Sequence, residues 1–214
     1  MIYTISPLMD HLYLDAAFYL AKASSEQGSN NKQNRALAVG ALACSVSFLD
    51  VCINSLFQEG VSSRKTKFRK ALSDAWNQKF DRQPTLVKLQ KALALAHVDG
   101  FDTRREPYQS VNSLIVLRNA IIHPKTIFGN GAEEKCLLEQ LDGKFEIKPR
   151  SPYHALFPDS VLTPECAAWG LVAVLRFLDE FNQKLPKSAR SVTLDIKRRL
   201  AEAEQFQNTR KAAP

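Results

Sequence analysis

With 8 glycines in 214 residues, the chain has little material for the tight reversals that an all-β sandwich or barrel needs at every strand end. Its 4 cysteines, Cys44, Cys52, Cys136 and Cys166, form no CxxC and no zinc-like spacing. Cys44 and Cys52 lie eight positions apart in a strongly helical segment, roughly 12 Å along its axis, too far to bridge. The 4 histidines are scattered, none at metal-ligand spacing from another. Phosphate-cradling loops of the GxxxxGKS/T or GxGxxG kind are missing, as are GxSxG, HExxH and any EF-hand loop. These absences argue against metal centres and nucleotide-cradling folds. Long apolar runs are also lacking. The most apolar stretch, Leu37–Leu49, contains Ser45 and Ser47 and is followed by Asp50 and Asn54, so a buried core helix is expected rather than a membrane span. The opening MIYTISPLMD has no basic region followed by an apolar run, and no secretory signal is expected. The expectation is a reduced, cytoplasmic chain with no membrane partner.

What remains has ordinary proportions. Hydrophobic residues make up 45% and charged residues 24%, the balance of a globular chain long enough to bury one core without staples. The net charge of +7 is unevenly spread. Residues 1–60 and 106–186 each carry −2, whereas 61–105 carries +7 and 187–214 carries +4. A basic block attracts phosphate non-specifically, and equally serves as a solvated surface.

Apolar spacing of three and four predicts an all-α fold. Leu8, Leu12, Ala16, Tyr19 or Leu20, and Ala23 mark a first helix from Pro7 to about Gln27. The second, about Lys32–Phe57, is apolar on most sides and therefore central. Its polar stripe, Ser47, Asp50, Asn54 and Gln58, faces solvent by default or else lines a polar cleft. Shorter helices are expected over Lys67–Phe80 and Thr85–His97, with His97 as a cation near the helix C-terminus. Pro107 opens a helix that runs to about Ile122 and is closed by Pro124. CLLEQL, the turn Asp142-Gly143 and KFEIK predict a small β-hairpin near 135–148. Thr163-Pro164-Glu165 is a strong helix start for 163–185. A last amphipathic helix spans about Ser191–Phe206. The four apolar helices form an up-and-down bundle, with the basic helices and the hairpin inserted on it.

One stretch carries chemistry. On a helix advancing about 100° per residue, Leu114, Leu117 and Ile121 fall within about 100° of Arg118 on one side, and Val111, Ile115 and Ile122 within about 60° on the other. Arg118 thus lies inside the apolar arc, which is costly for a guanidinium unless an anion meets it. Pro124 disfavours helical backbone at His123, so the chain leaves the helix there and the imidazole can swing toward Arg118. A guanidinium fork holds phosphoryl oxygens, and a histidine moves protons near neutrality.

Arg118-Asn119-Ala120-Ile121-Ile122-His123 resembles the Arg-polar-x3-His signature of HEPN domains, which are small helical bundles with insertions. The resemblance covers the motif and the bundle pattern, residues 8–60 and 106–185. It implies one HEPN-like domain over 1–186, with 61–105 and 135–148 as insertions, followed by a C-terminal helix and basic tail over 187–214. It further implies a metal-independent endoribonuclease without cofactor, a toxin or defence effector, that cleaves RNA through its 2′-hydroxyl to a 2′,3′-cyclic phosphate. Arg118 would bind the scissile phosphate, His123 would assist proton transfer, and Asn119 would orient the phosphate or the histidine. The partners implied are RNA, a second copy in a homodimer with a composite cleft, and an antitoxin or nucleotidyltransferase protein. Asp50 and Asn54 are candidates to line the cleft. Lys125, Arg64, Lys65, Lys67, Arg69 and Lys70 are candidates for RNA-backbone contacts, or plain solvated cations. Tyr153 and His154 read as loop packing. Two other classes stay open. One is a non-catalytic HEPN-like module for dimerisation and RNA or protein binding. The other is a scaffold in which Arg118 pairs with Asp50 across the bundle and His123 caps the helix.

Overall fold

The computed structural model describes residues 8–26, 31–62, 66–78, 80–123, 132–147, 157–187 and 195–211. Among them the secondary structure is helical throughout: α1 (Leu8–Glu26), α2 (Asn31–Ser62), α3 (Lys67–Asn77), α4 (Thr85–Leu95), α5 (Tyr108–Ile122), α6 (Ala132–Leu141), α7 (Pro164–Lys184) and α8 (Ile196–Lys211), with a single 3-10 turn at Phe80–Arg82.

The four helices expected to be apolar, α1, α2, α5 and α7, pack on one another, and the same buried core takes in Leu72 of α3, Leu86, Leu89 and Leu93 of α4, and Leu137 and Leu141 of α6. Small residues let the helices approach closely. Ala21 of α1, Ala38 and Ala41 of α2, and Ala167 of α7 form one fully buried cluster. At two glycines an added Cβ would press on neighbouring leucines. A Cβ on Gly40 would lie 3.0 Å from Leu20 Cδ1, and one on Gly170 would lie 2.7 Å from Leu42 Cδ2 and 3.1 Å from Leu114 Cδ1. Gly170 is therefore where α7 crosses both α2 and α5.

The start of α7 follows from its sequence. The Thr163 hydroxyl accepts from Cys166 N at 3.1 Å, Pro164 occupies the first turn, and Glu165 places an acid there. From Cys166 to Leu175 every residue is buried. Phe177 stacks on Phe101 at 4.4 Å between ring centroids, which pins the segment before α5 to α7. The outer face of α7 is covered by α8, through Arg176–Glu204 at 2.7 Å, and α8 reaches α1 through Arg199, which pairs with Asp15 and lies 4.4 Å over the Phe18 ring.

By length and composition α2 passes for a membrane span, with a mean hydropathy of 2.1 in its most apolar 18-residue window within Lys32–Glu59. Its Leu42, Val46, Phe48, Leu49, Ile53 and Phe57 are nevertheless buried in the bundle core.

Two local expectations are corrected. The segment expected to begin a β-hairpin at 135–148 is instead α6, followed by a turn with Gly143 at φ +70°. Leu137 and Leu141, four apart, are both buried, and Glu133 and Glu134 favour a helix N-terminus in the first turn. The turn at Asp142-Gly143 is present, but it ends a helix rather than joining strands. His97 does not sit in the last turn of α4, which ends at Leu95. It lies beyond, exposed, at φ 57°. Its N–H donates to Ala94 O at 3.1 Å and Val98 N–H donates to Leu93 O at 3.1 Å, a Schellman closure with histidine in the place glycine usually fills.

Candidate functional site

Two members of the α2 polar stripe, Asp50 and Asn54, are half-buried against neighbouring helices rather than turned fully to solvent. Asp50 and Asn54 stand one turn apart on α2, and α4 and α5 both pack against that face. From α5, Arg118 brings Nη2 to 3.7 Å from Asp50 Oδ2. From α4, the Thr85 hydroxyl donates to Asp50 Oδ1. One turn further along both helices, Lys88 Nζ donates to Asn54 Oδ1 at 2.9 Å. Lys88 is buried to 6% exposure and stands 5.7 Å over the ring of Trp76 on α3. Burial pushes the Lys88 ammonium below its ordinary lysine value, and the negative charges of Asp50 and Asp81 oppose that shift. The result is a polar layer between α2 and α4 with Arg118 at its edge.

Arg118 is held incompletely. Its side chain keeps 22% exposure, its Nε is fully buried without a hydrogen-bond partner, and its contact to Asp50 is an ion pair longer than a hydrogen bond. It donates no hydrogen bond to any described residue. A guanidinium carries five N–H donors in a planar fork, so this one retains donors for the oxygens of an anion.

Pro107 precedes α5 and offers no capping hydroxyl; Glu106 does that work by accepting from Ser110 N at 3.2 Å. At the other end His123 is the C-cap residue, with φ −121° and ψ 65°, and its backbone N–H donates to Asn119 O at 2.9 Å. Non-helical backbone at this position is what a following proline demands. The His123 and Asn119 side chains are both exposed. Among the described residues, no hydrogen bond or ion pair joins Arg118 to His123.

With Asn112 and two apolar residues, Val116 at 40% and Ile122 at 41% exposure, Asn119 and His123 form an exposed edge along α5. That edge carries no formal charge beyond the histidine.

The basic residues of α3 divide. Arg69 Nη2 lies 3.7 Å from Glu59 Oε2 and ties α3 back to α2, while Lys67 and Lys70 are exposed. Arg64, Lys65, Lys125, Tyr153 and His154 lie outside the described residues. No group of three or more His, Cys, Asp or Glu side chains that could hold a metal ion occurs among the described residues. Burial raises the Cys44 thiol, and raises Cys166 far above the ordinary cysteine range with help from the Glu165 charge, so neither is an activated thiolate.

Sequence reasoning reached Arg118, Asp50 and Asn54 but missed Thr85, Lys88 and Trp76. The available signal was a threonine and a lysine three apart on a helix, able to face two polar residues four apart on another. Spacing gives each face separately. It does not say that the two faces meet.

No protein-family model matches the chain, and neither a curated protein nor a solved structure matches it.

Proposed function

We propose that this chain is a metal-independent endoribonuclease of HEPN type that works as a homodimer. The observation that carries the proposal is Arg118: a guanidinium set within a core-facing arc, steadied by one carboxylate, with its hydrogen-bonding capacity unspent. A phosphodiester is a singly charged anion whose two non-bridging oxygens such a fork accepts. Asn119 and His123 supply an amide and an imidazole at the same helix end. In the reaction, the RNA 2′-oxygen forms a bond to phosphorus while the bond from phosphorus to the 5′-oxygen breaks. The 2′-hydroxyl proton leaves to a base and a proton is delivered to the departing 5′-oxygen, giving a 2′,3′-cyclic phosphate and a 5′-hydroxyl. His123 serves one of these proton transfers, and Arg118 stabilises the charge that builds on the phosphoryl oxygens. The exposed edge of α5 is where the second copy docks, bringing two motifs to one cleft. Lys67 and Lys70 extend the positive surface for RNA.

A second function is favoured by the Asp50 ion pair, which gives Arg118 a structural role of its own: a helical module that binds RNA or a protein without cutting. One assay separates them. Wild type, Arg118→Ala and His123→Ala are incubated with labelled mixed-sequence RNA in EDTA. The nuclease predicts cyclic-phosphate ends from wild type and losses on the order of 10²-fold or more in each variant. Equal cleavage by all three overturns the assignment of the site. RNA retained without cleavage, with binding that weakens steeply as salt rises, identifies the binding module.

A further inference from the structure

We infer that Thr85 is a positioning residue for Arg118, acting through Asp50, so that the basic segment containing α4 is a working part of the site and not an appendage. The inference rests on the nuclease reading for its catalytic consequence, but its geometry stands without it.

Asp50 divides its carboxylate. Oδ1 accepts from Thr85 and Oδ2 faces Arg118. The carboxylate plane of an aspartate rotates over a broad, roughly two-fold torsional profile, so an isolated Asp50 would not keep one oxygen aimed at α5. Thr85 supplies the hydrogen bond that fixes the plane. It is free to do so for a local reason. A threonine at a helix start ordinarily spends its hydroxyl on capping, but here Pro84 holds the N-cap position and Thr85 is the first helical residue. Its hydroxyl points across to α2 instead. Lys88, three residues on, grips Asn54 and rests on Trp76, and so holds α4 against α2 in the register that places Thr85 at Asp50. Arg118 has no other anchor among the described residues, so its aim depends on this chain of contacts. Orienting partners of this kind commonly matter to activity by tens of fold where they hold a ligand or base.

The experiment compares wild type with Thr85→Val, which removes the hydroxyl at nearly equal size, and Thr85→Ser, which restores it. Two readouts are taken. The first is the NMR signal of the Arg118 Nε–H group, identified by its loss in Arg118→Lys; the burial of Nε slows exchange of its proton with water. The second is kcat and KM for RNA cleavage. The expected result is a shifted or broadened Arg118 signal in Thr85→Val, about a fivefold to tenfold fall in kcat with KM little changed, and recovery of both in Thr85→Ser. An unchanged Arg118 signal in Thr85→Val overturns the inference whatever the kinetics. If wild type does not cleave RNA, the nuclease fails, while the Arg118 signal still decides the positioning role. Should Thr85→Val not fold, Thr85→Ala is measured in its place against the same two outcomes.

Discussion

At the scale of single residues, the molecule places charge where its partners are few. Arg118 interrupts an apolar arc and meets Asp50 at 3.7 Å, with the two side chains 22% and 36% exposed. That exposure keeps the pair well below the cost of a fully buried broken ion pair. Asp50→Ala should lower stability by about 1–2 kcal/mol, and the double variant with Arg118→Ala should recover part of that loss, because no uncompensated guanidinium remains. Urea denaturation of the four proteins in the cycle measures the coupling, and strictly additive losses would show that the pair contributes nothing. Glu106 is the acidic counterpart. Burial raises its carboxyl, but hydrogen bonds from Lys144 and from the Ser110 hydroxyl and backbone N–H, with the Lys144 charge, outweigh that and hold it below the ordinary 4.5. A carboxyl held low in the folded chain stabilises it fully above the ordinary value and loses that contribution as pH falls through the folded value. Glu106→Gln should therefore cost stability at pH 7, by less than about 1 kcal/mol given the exposure of the pair, and the gap to wild type should close below pH 4.5. A gap that persists at pH 3 would mean that shape, not charge, carries the contact.

At the scale of helices, close approach and termination decide the fold. Gly170 lets α7 cross α2 and α5 at once, and a Cβ there already presses on Leu42 and Leu114. Gly170→Val should destabilise by about 1–3 kcal/mol through overpacking, read as a fall in the urea midpoint with an unchanged slope. His97 works in the opposite sense. Its exposed side chain sits at φ 57°, where L-residues are strained and glycine is not. His97→Gly should raise stability by roughly 0.5–1 kcal/mol despite the greater freedom of the unfolded chain. Much of this scale was legible before any coordinates. Period-3.6 apolar spacing located α1, α2, α5 and α7, and Thr163-Pro164-Glu165 marked the start of α7 to the residue. The segment at 135–148 misleads because Asp142-Gly143 is a strong turn signal that competes with the four-residue spacing of Leu137 and Leu141. His97 misleads because its positive φ follows from the Schellman closure, which no side chain announces. The α2–α4 polar layer was beyond reach for another reason. Which two helix faces meet is settled by the packing of the whole bundle, and Thr85 gives no local sign that its hydroxyl will cross to Asp50 and not cap its own helix.

At the scale of the whole molecule, the proposed homodimer requires two copies of a chain with net charge +7 to come together. Like-charged proteins repel except where they meet on neutral ground. The edge of α5 is such ground: Asn112, Val116, Asn119, Ile122 and His123 are exposed there and none carries a fixed charge. A two-fold axis running along this edge would bring each residue near its own counterpart, so Val116 and Ile122 would bury apolar surface and the two His123 side chains would approach one another. Val116→Asp places a carboxylate opposite its copy across that axis, where repulsion and desolvation both oppose association. Because Val116 is 40% exposed in the single chain, the substitution should leave the stability of the separate chain within about 0.5 kcal/mol. Sedimentation at tens of micromolar should then find a dimer for wild type and a monomer for the variant, with RNA cleavage lost in the monomer although Arg118, Asn119 and His123 are intact. A variant that stays dimeric moves the interface away from α5. A wild type that is monomeric yet cleaves RNA dispenses with the composite cleft and leaves Arg118 and His123 of one chain to do the chemistry alone.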